Sequence, residues 1–154
     1  MPDPPAIRPT ADLWAATTLG RHSAAASVLW MRTVTRYVAL EDPDPETARW
    51  IEEAILTCAS LDPRWRVPST YGSLMLGSMG EVDAYERVLE AAAHQWPDDP
   101  WYPTALGMSR YLHRQDPEGA ARWLDWAAGV SDASPIYTYA AARMRRRADN
   151  GAVP

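Results

Sequence analysis

Histidine, cysteine and closely spaced acidic residues are the side chains from which a catalytic or metal site would be built, and this chain has few of them. Its 154 residues include three histidines, His22, His94 and His113, and one cysteine, Cys58. No two histidines have the i,i+4 spacing of a metal-binding helix. A single cysteine forms neither an intramolecular disulfide nor a cysteine-based metal site, and Cys58 lies on an apolar helix face where a buried thiol is unreactive. The sequence therefore predicts no metal and no cofactor.

The remaining reactive patterns have structural explanations. His94 and His113 each close a predicted helix, where a cationic ring interacts favourably with the helix dipole. Glu52 and Glu53 are adjacent, so on a helix their carboxylates point in different directions and do not form a general acid–base pair. The glycine-containing segment 72–77 lacks the Gly-Lys-Ser/Thr ending of a phosphate-binding loop. We therefore expect the protein not to be an enzyme, and keep an all-α enzyme built from these residues as an alternative.

Composition and charge limit the class of protein. Hydrophobic residues make up 47% of the chain and charged residues 23%, which is typical of one globular domain. The net charge of −5 argues against nucleic acid as a partner, since nucleic-acid binders need a concentrated basic surface. A local basic run near the C-terminus consists of Arg143, Arg145, Arg146 and Arg147. We interpret it as a helix end whose cations complement the helix dipole, in preference to a patch for an anionic partner.

A helix-start signal recurs at nearly constant intervals. Asp or Ser directly before Pro supplies an N-cap side chain and a residue suited to the first helical turn. The positions are Asp44-Pro45, Asp62-Pro63, Asp99-Pro100, Asp116-Pro117 and Ser134-Pro135, with Gly80-Glu81 in the one gap. Successive signals are 17 to 19 residues apart, which predicts one helix per interval and helical hairpins of about 36 residues.

The apolar residues between these signals follow the helical period. Segment 50–61 has a single apolar stripe of Trp50, Ile51, Ala54, Ile55, Cys58 and Leu61. No run alternates with the period of two that a half-buried strand requires, so we expect an all-α protein. One helix is predicted over residues 65–79, closed by Gly80, and Pro68 near its start allows the first turn to begin a few residues later. The last helix is predicted over residues 136–148, ended by Asn150-Gly151.

Small residues recur at matching positions in successive hairpins. Ala48, Ala84 and Ala120 are spaced 36 residues apart, each early in the second helix, and Gly72 and Gly107 lie 35 apart in the first helices. This pattern resembles the tetratricopeptide repeat family. Its unit carries a large residue followed by glycine in the first helix, a small residue early in the second, and a proline at the end.

The resemblance covers three units, residues 28–63, 65–97 and 100–135, of which the first is the most divergent. It implies a right-handed solenoid of about three helix pairs plus terminal helices. The predicted repeat domain spans residues 11–149, with a helix over 11–19. An extended arm of residues 1–10, which hold four prolines, precedes it and a tail of residues 150–154 follows it.

The N-terminal part has a narrower resemblance. It is similar to a group of uncharacterised bacterial tetratricopeptide proteins in the segment Leu19-Gly20-Arg21-His22-Ser23 and in the following Leu29-Trp30-Met31-Arg32. Members of that group commonly carry a membrane anchor or export signal. We expect neither here. No apolar run approaches the ~18 residues of a membrane span, and the first five residues lack the basic start and apolar stretch of a signal peptide. We therefore expect no direct membrane insertion and a cytoplasmic location, free or peripheral to a membrane complex.

The resemblance also implies where a partner would bind. In tetratricopeptide domains the first helices of successive hairpins line a concave groove for a peptide. The positions matching that groove are Arg66, Ser69, Ser73 and Leu76 in one unit and Trp101, Thr104, Met108 and Tyr111 in the next. Chaperone-binding members hold a C-terminal carboxylate with Lys and Asn, and here those places are taken by Ser69, Ser73, Thr104 and Met108. Recognition of a peptide C-terminus is therefore not implied, and the groove suits an apolar anchor such as one face of a helix.

The leading hypothesis is accordingly a non-catalytic adaptor that binds a protein or peptide partner. Besides the all-α enzyme, the alternative is a structural accessory subunit of a larger, membrane-associated bacterial complex. Such a subunit would make its contacts through its flat faces and ends. The sequence indicates neither the partner nor the oligomeric state.

Overall fold

The structure is a computed structural model that describes residues 21–42, 44–130 and 134–151. Within these ranges the chain forms seven α-helices and no strand, which confirms the all-α prediction. The helices are α1 (His22–Val38), α2 (Pro45–Leu61), α3 (Val67–Ser78), α4 (Val82–Gln95), α5 (Trp101–Arg114), α6 (Pro117–Gly129) and α7 (Pro135–Gly151). The predicted arm over residues 1–10 and the predicted helix over 11–19 lie outside the described residues.

Two of the predicted N-caps have the expected geometry. Asp44 Oδ1 accepts a hydrogen bond of 2.8 Å from the backbone N–H of Thr47 at the start of α2. Asp116 Oδ1 accepts one of 2.8 Å from the N–H of Gly119 at the start of α6. The hydrogen bonds from Thr47 hold the pKa of the Asp44 carboxyl below its usual range. These caps fix the first residue of both helices.

The Asp62-Pro63 signal does not begin a helix. The backbone N–H of Asp62 donates to Cys58 O at 2.9 Å and so closes α2, and α3 begins only at Val67. Pro68 accounts for the difference, because a proline has no N–H to donate and is accommodated in a helix only within the first turn. The predicted start near residue 65 was therefore too early by about one half-turn.

The predicted glycine cap of α3 is confirmed. Gly80 has φ of 78°, a left-handed conformation that favours glycine. Its N–H donates to Gly77 O at 3.1 Å, and the next N–H, that of Glu81, donates to Leu76 O at 3.1 Å. This pair of hydrogen bonds is a Schellman motif, which satisfies the last carbonyls of α3 and directs the chain into α4.

The last helix is longer than predicted. It continues through Gly151, so the Asn150-Gly151 pair lies inside the final turn instead of ending the helix at residue 148. None of the basic residues of α7 lies in that last turn.

The chain divides into two compact units, residues 1–88 (unit 1) and 89–154 (unit 2), with the boundary inside α4. In unit 1, α2 packs against both α1 and α3. The buried side chains of unit 1 form two clusters. The first contains Ala25, Ala26, Leu29, Ala54, Cys58 and Leu61, and the second contains Ala48, Ile51, Ile55, Leu76, Ala84 and Val88. A bidentate ion pair also links α2 to α4, with Arg87 donating to the carboxylate oxygens of Glu52 at 2.6 and 2.9 Å.

In unit 2, α6 packs against both α5 and α7. The core of unit 2 contains Ala120, Ala121, Leu124, Ala141 and Met144. Helices α5 and α6 are closely packed at Gly107: a Cβ added there would lie 2.9 Å from Leu124 Cγ and 3.1 Å from Ala120 O. In unit 1, an added Cβ on Gly72 would likewise overlap the Ile55 side chain. The repeating small residues therefore lie where helices meet.

Gly107→Ala tests this packing. The added methyl group must displace the Leu124 branch point and a backbone carbonyl, so we expect it to lower the free energy of unfolding by about 1–3 kcal/mol. The matched control is Gly129→Ala in α6, because an added Cβ there meets nothing within 4 Å. Urea unfolding followed by circular dichroism measures both. Equal stability of the two variants would contradict the close α5–α6 contact.

Candidate functional site

Exposed apolar side chains are concentrated on alternate helices. In the part of the chain that the structure describes, twelve large hydrophobic side chains are exposed, three each on α1, α3 and α5, two on α7, and one on α2. They are Val28, Met31, Val38, Leu56, Val67, Tyr71, Leu74, Trp101, Met108, Leu112, Ile136 and Tyr139. Isolated exposed hydrophobic residues are ordinary on a protein surface, but here most of them lie on one set of helices.

On α3 these residues form one stripe. Val67, Tyr71 and Leu74 follow the spacing i, i+4, i+7 and so lie on one side of the helix. Tyr71 is 57% exposed and Leu74 49%. We call these three residues the α3 stripe.

A matching set lies on α5 in unit 2. Trp101, Met108 and Leu112 follow the spacing i, i+7, i+11 on one side of that helix, and we call them the α5 stripe. Val67 and Leu74 of the α3 stripe precede Trp101 and Met108 by 34 residues each. Two of the three exposed positions in each stripe therefore recur at 34 residues, close to the predicted hairpin length of about 36.

The predicted α3 positions are mostly buried. Arg66 is exposed, but Ser69 is only 3% exposed, and Ser73 and Leu76 are fully buried. Ser73 Oγ donates to Thr70 O at 2.8 Å, and Leu76 belongs to the unit 1 core. These three residues share one face of α3, and that face packs inside unit 1.

The position of Gly72 explains this burial. Gly72 faces Ile55 on α2, and residues three before and four after it, Ser69 and Leu76, lie on the same side of the helix. The α3 stripe occupies the opposite side. The sequence analysis recognised Gly72 as a close-contact residue but did not infer that the face of α3 around it is buried. That inference would have identified Val67, Tyr71 and Leu74, on the opposite face, as the exposed residues.

The predicted α5 positions divide into two pairs. Trp101 and Met108 are exposed, at 36% and 43%. Thr104 and Tyr111 are half-buried, and they stand three before and four after Gly107, on the side that packs against α6. Thr104 Oγ1 donates to Pro100 O at 2.6 Å, and Tyr111 packs against the unit 2 core. Sequence reasoning did not include Leu112, the most exposed residue of the α5 stripe.

Trp101 is held in a fixed position. Asp99 Oδ1 accepts a hydrogen bond of 3.0 Å from its backbone N–H. Its ring meets the buried Tyr102 ring edge to face at 5.1 Å, and Tyr102 is stacked on Trp96 at 5.4 Å. An exposed aromatic ring whose orientation is set by buried neighbours loses little conformational entropy when it contacts a partner.

The histidines of the described ranges lie at the ends of separate helices. Among the described residues, no three His, Cys, Asp or Glu side chains are arranged to hold a metal ion. His94 lies in the last turn of α4 with its ring 5.3 Å from that of Trp126, and His113 lies in the last turn of α5. His22 is the first residue of α1.

Cys58 is fully buried, and its Sγ lies 3.5 Å from Ala26 O, in donating geometry. Burial raises the pKa of this thiol to about 12. The reactive thiolate form is therefore rare at neutral pH, in agreement with the expectation that Cys58 acts as a small apolar residue.

Comparison with protein-family models, with curated proteins and with solved structures found no match to this chain. None of the helices in the described ranges has the length and apolar character needed to cross a bilayer. What the structure defines is thus an all-α protein, in its described part, with apolar surface on alternate helices.

Ser73 and Tyr71 provide a direct test of which α3 face is exposed. We expect Ser73→Glu to lower the free energy of unfolding by about 3 kcal/mol or more, because it buries a charge. Tyr71→Glu, two residues away, should change it by less than about 0.5 kcal/mol. Thermal and urea denaturation measure both variants. If Tyr71→Glu destabilised the protein more than Ser73→Glu, the exposed face of α3 would have been assigned wrongly.

Cys58 provides a test by pH. Because its folded-state pKa is raised, the thiolate fraction at pH 8 is about one part in ten thousand. We expect a disulfide reagent such as dithionitrobenzoate to react at pH 8 only at the rate of unfolding, and immediately in guanidinium chloride. Rapid stoichiometric labelling of the folded protein would contradict the burial of this thiol.

Proposed function

We propose that the protein is a non-catalytic adaptor that binds a protein partner through the exposed apolar side chains of its alternate helices. The observation that supports this most strongly is their distribution: only Leu56 among the exposed large hydrophobic residues described lies on α2, α4 or α6. Exposed apolar surface reduces solubility, so its restriction to one set of helices favours a binding role.

The α5 stripe has the composition of a binding hot spot. Trp101 is a large, rigid ring held by Tyr102 and is suited to serve as an anchor. Met108 is flexible and polarisable, and adapts to irregular apolar surfaces. An amphipathic helix or extended segment with apolar residues at matching spacing fits such a stripe.

We further propose that the helices pair as hairpins of the tetratricopeptide type, α1 with α2, α3 with α4, and α5 with α6. The burial of Ala48, Ala84 and Ala120 supports this pairing. The close packing of Gly107 on α5 against Ala120 and Leu124 of α6 supports the pairing of α5 with α6. In such repeats the first helix of each pair supplies the binding surface, which agrees with the exposed residues of α1, α3 and α5.

A structural accessory subunit of a larger complex is the second candidate. The terminal helix α7 favours it, because Ile136 and Tyr139 are 62% and 60% exposed. An apolar end surface of this kind suits permanent packing against a neighbouring subunit. An obligate subunit would aggregate alone and purify with its neighbour in a fixed ratio, whereas an adaptor is stable alone.

Trp101→Ala tests the adaptor. We expect it to weaken partner binding by about thirtyfold, because removing a central aromatic anchor costs about 2 kcal/mol of binding free energy. Affinity capture from cells that express the chain, followed by titration of the captured partner, measures the loss. Circular dichroism should show that the variant remains folded.

Leu56→Ala is the matched control. Leu56 is 37% exposed, as Trp101 is 36%, but lies on α2. We expect its truncation to leave partner binding unchanged. Equal losses for the two variants, or unfolding caused by Trp101→Ala, would count against the α5 stripe as the binding surface.

A further inference from the structure

The α5 stripe ends next to arginine side chains. Leu112, its last residue, is 61% exposed. It lines a surface cavity of about 420 Å³ together with Tyr111, Gln115, Pro117 and Arg147. All of these residues belong to unit 2. An apolar residue and a cation therefore share one cavity at the C-terminal end of α5.

Arg147 is positioned by an aromatic ring. Its guanidinium carbon lies 5.0 Å from the centre of the Tyr111 ring, and Tyr111 packs against the unit 2 core. A guanidinium stacked on a ring is held by its flat face, while its N–H donors lie in its plane. That geometry suits two parallel hydrogen bonds to a carboxylate.

The neighbouring arginines add positive charge. Arg143 and Arg146 are exposed on α7, and Arg143 stands four residues before Arg147, on the same side of the helix. Arg145 has a different role, because it forms an ion pair with Asp125 on α6. The chain has a net charge of −5, so this concentration of cations is local.

The helix dipole does not account for this arginine run, contrary to the interpretation from sequence. The interaction with the dipole is confined to the last turn of a helix. Because α7 continues through Gly151, none of its basic residues lies in that turn. Arg147, which lines the cavity beside Leu112, therefore needs another explanation.

We propose that this end of unit 2 binds an acidic segment of the partner protein. An apolar side chain of the segment occupies the cavity beside Leu112, and flanking Asp or Glu carboxylates pair with Arg147 and Arg143. This inference rests on the proposed adaptor function and specifies the chemistry of its partner. Charge complementarity favours an acidic segment, and the exposed apolar residue favours a protein over nucleic acid, which binds chiefly through its phosphates.

The probe is a phage-displayed library of random 12-residue peptides, followed by fluorescein-labelled synthetic peptides of the selected sequences. We expect the selected peptides to share an apolar residue flanked by at least two Asp or Glu. Their affinity, measured by fluorescence anisotropy, should fall at least tenfold between 50 and 500 mM NaCl, because exposed ion pairs are screened by salt.

Variants identify the binding residues. Arg147→Glu and Leu112→Glu should each weaken binding at least tenfold, and Arg147→Lys should have an intermediate effect because it keeps the charge but loses the planar donors. Arg32→Glu is the control, since Arg32 is an exposed arginine of α1 in unit 1 and the change in charge is the same. It should change the affinity less than twofold. Thermal melts of all variants check folding.

Several outcomes would overturn the inference. These are selection of neutral or basic peptides, failure to select any peptide, or acidic peptides that bind Arg147→Glu as well as the original chain. Tighter binding to duplex DNA or to phosphatidylserine vesicles than to the peptides would also overturn it, as would self-association lost in Leu112→Glu. Peptides that depend on Trp101 but not on Arg147 would leave the adaptor function standing while this inference fails.

Discussion

The close contact of helices at glycine is the constraint on which the other features depend. At Gly72 and Gly107 there is no room for a side chain beyond hydrogen, because Ile55 or Leu124 occupies the adjoining space. A helix that approaches its neighbour at one residue turns the residues three and four positions away toward that neighbour as well, and so buries them wholly or in part. The contact therefore decides which side of α3 and α5 is core and, by elimination, which side faces outward.

This constraint gives the exposed apolar stripes their significance. In α3, Leu76 already supplies an apolar residue to the core, yet Tyr71 and Leu74 on the opposite side are apolar and exposed. A surface helix that needs only one buried face carries polar residues on the other. Apolar residues on both faces are expected where the second face also has a partner, which is why the stripes, and not a pocket, support the binding proposal.

The sequence predicted the helices better than the side chains that face outward. Asp44, Asp116 and Gly80 were identified correctly because caps depend on residues adjacent in the chain. The start of α3 was misplaced because Asp62-Pro63 has the composition of a helix start, although Pro68 imposes the actual one. The groove positions were transferred from a family pattern, but Ser69, Ser73 and Leu76 lie on the face of α3 where Gly72 contacts Ile55 of α2.

The end of α7 shows how a small error in a boundary alters a functional interpretation. Ended at residue 148, the helix would carry Arg145, Arg146 and Arg147 in or beside its last turn, where favourable interaction with the dipole is a sufficient reason for them. Extended to Gly151, it places all three before the last turn. Arg145 has Asp125 and Arg147 has the Tyr111 ring, two interactions that exist only because α7 packs beside α6 and near the end of α5. The role of these arginines can therefore be assigned only when the bounds of the helix and the helices that pack against it are known.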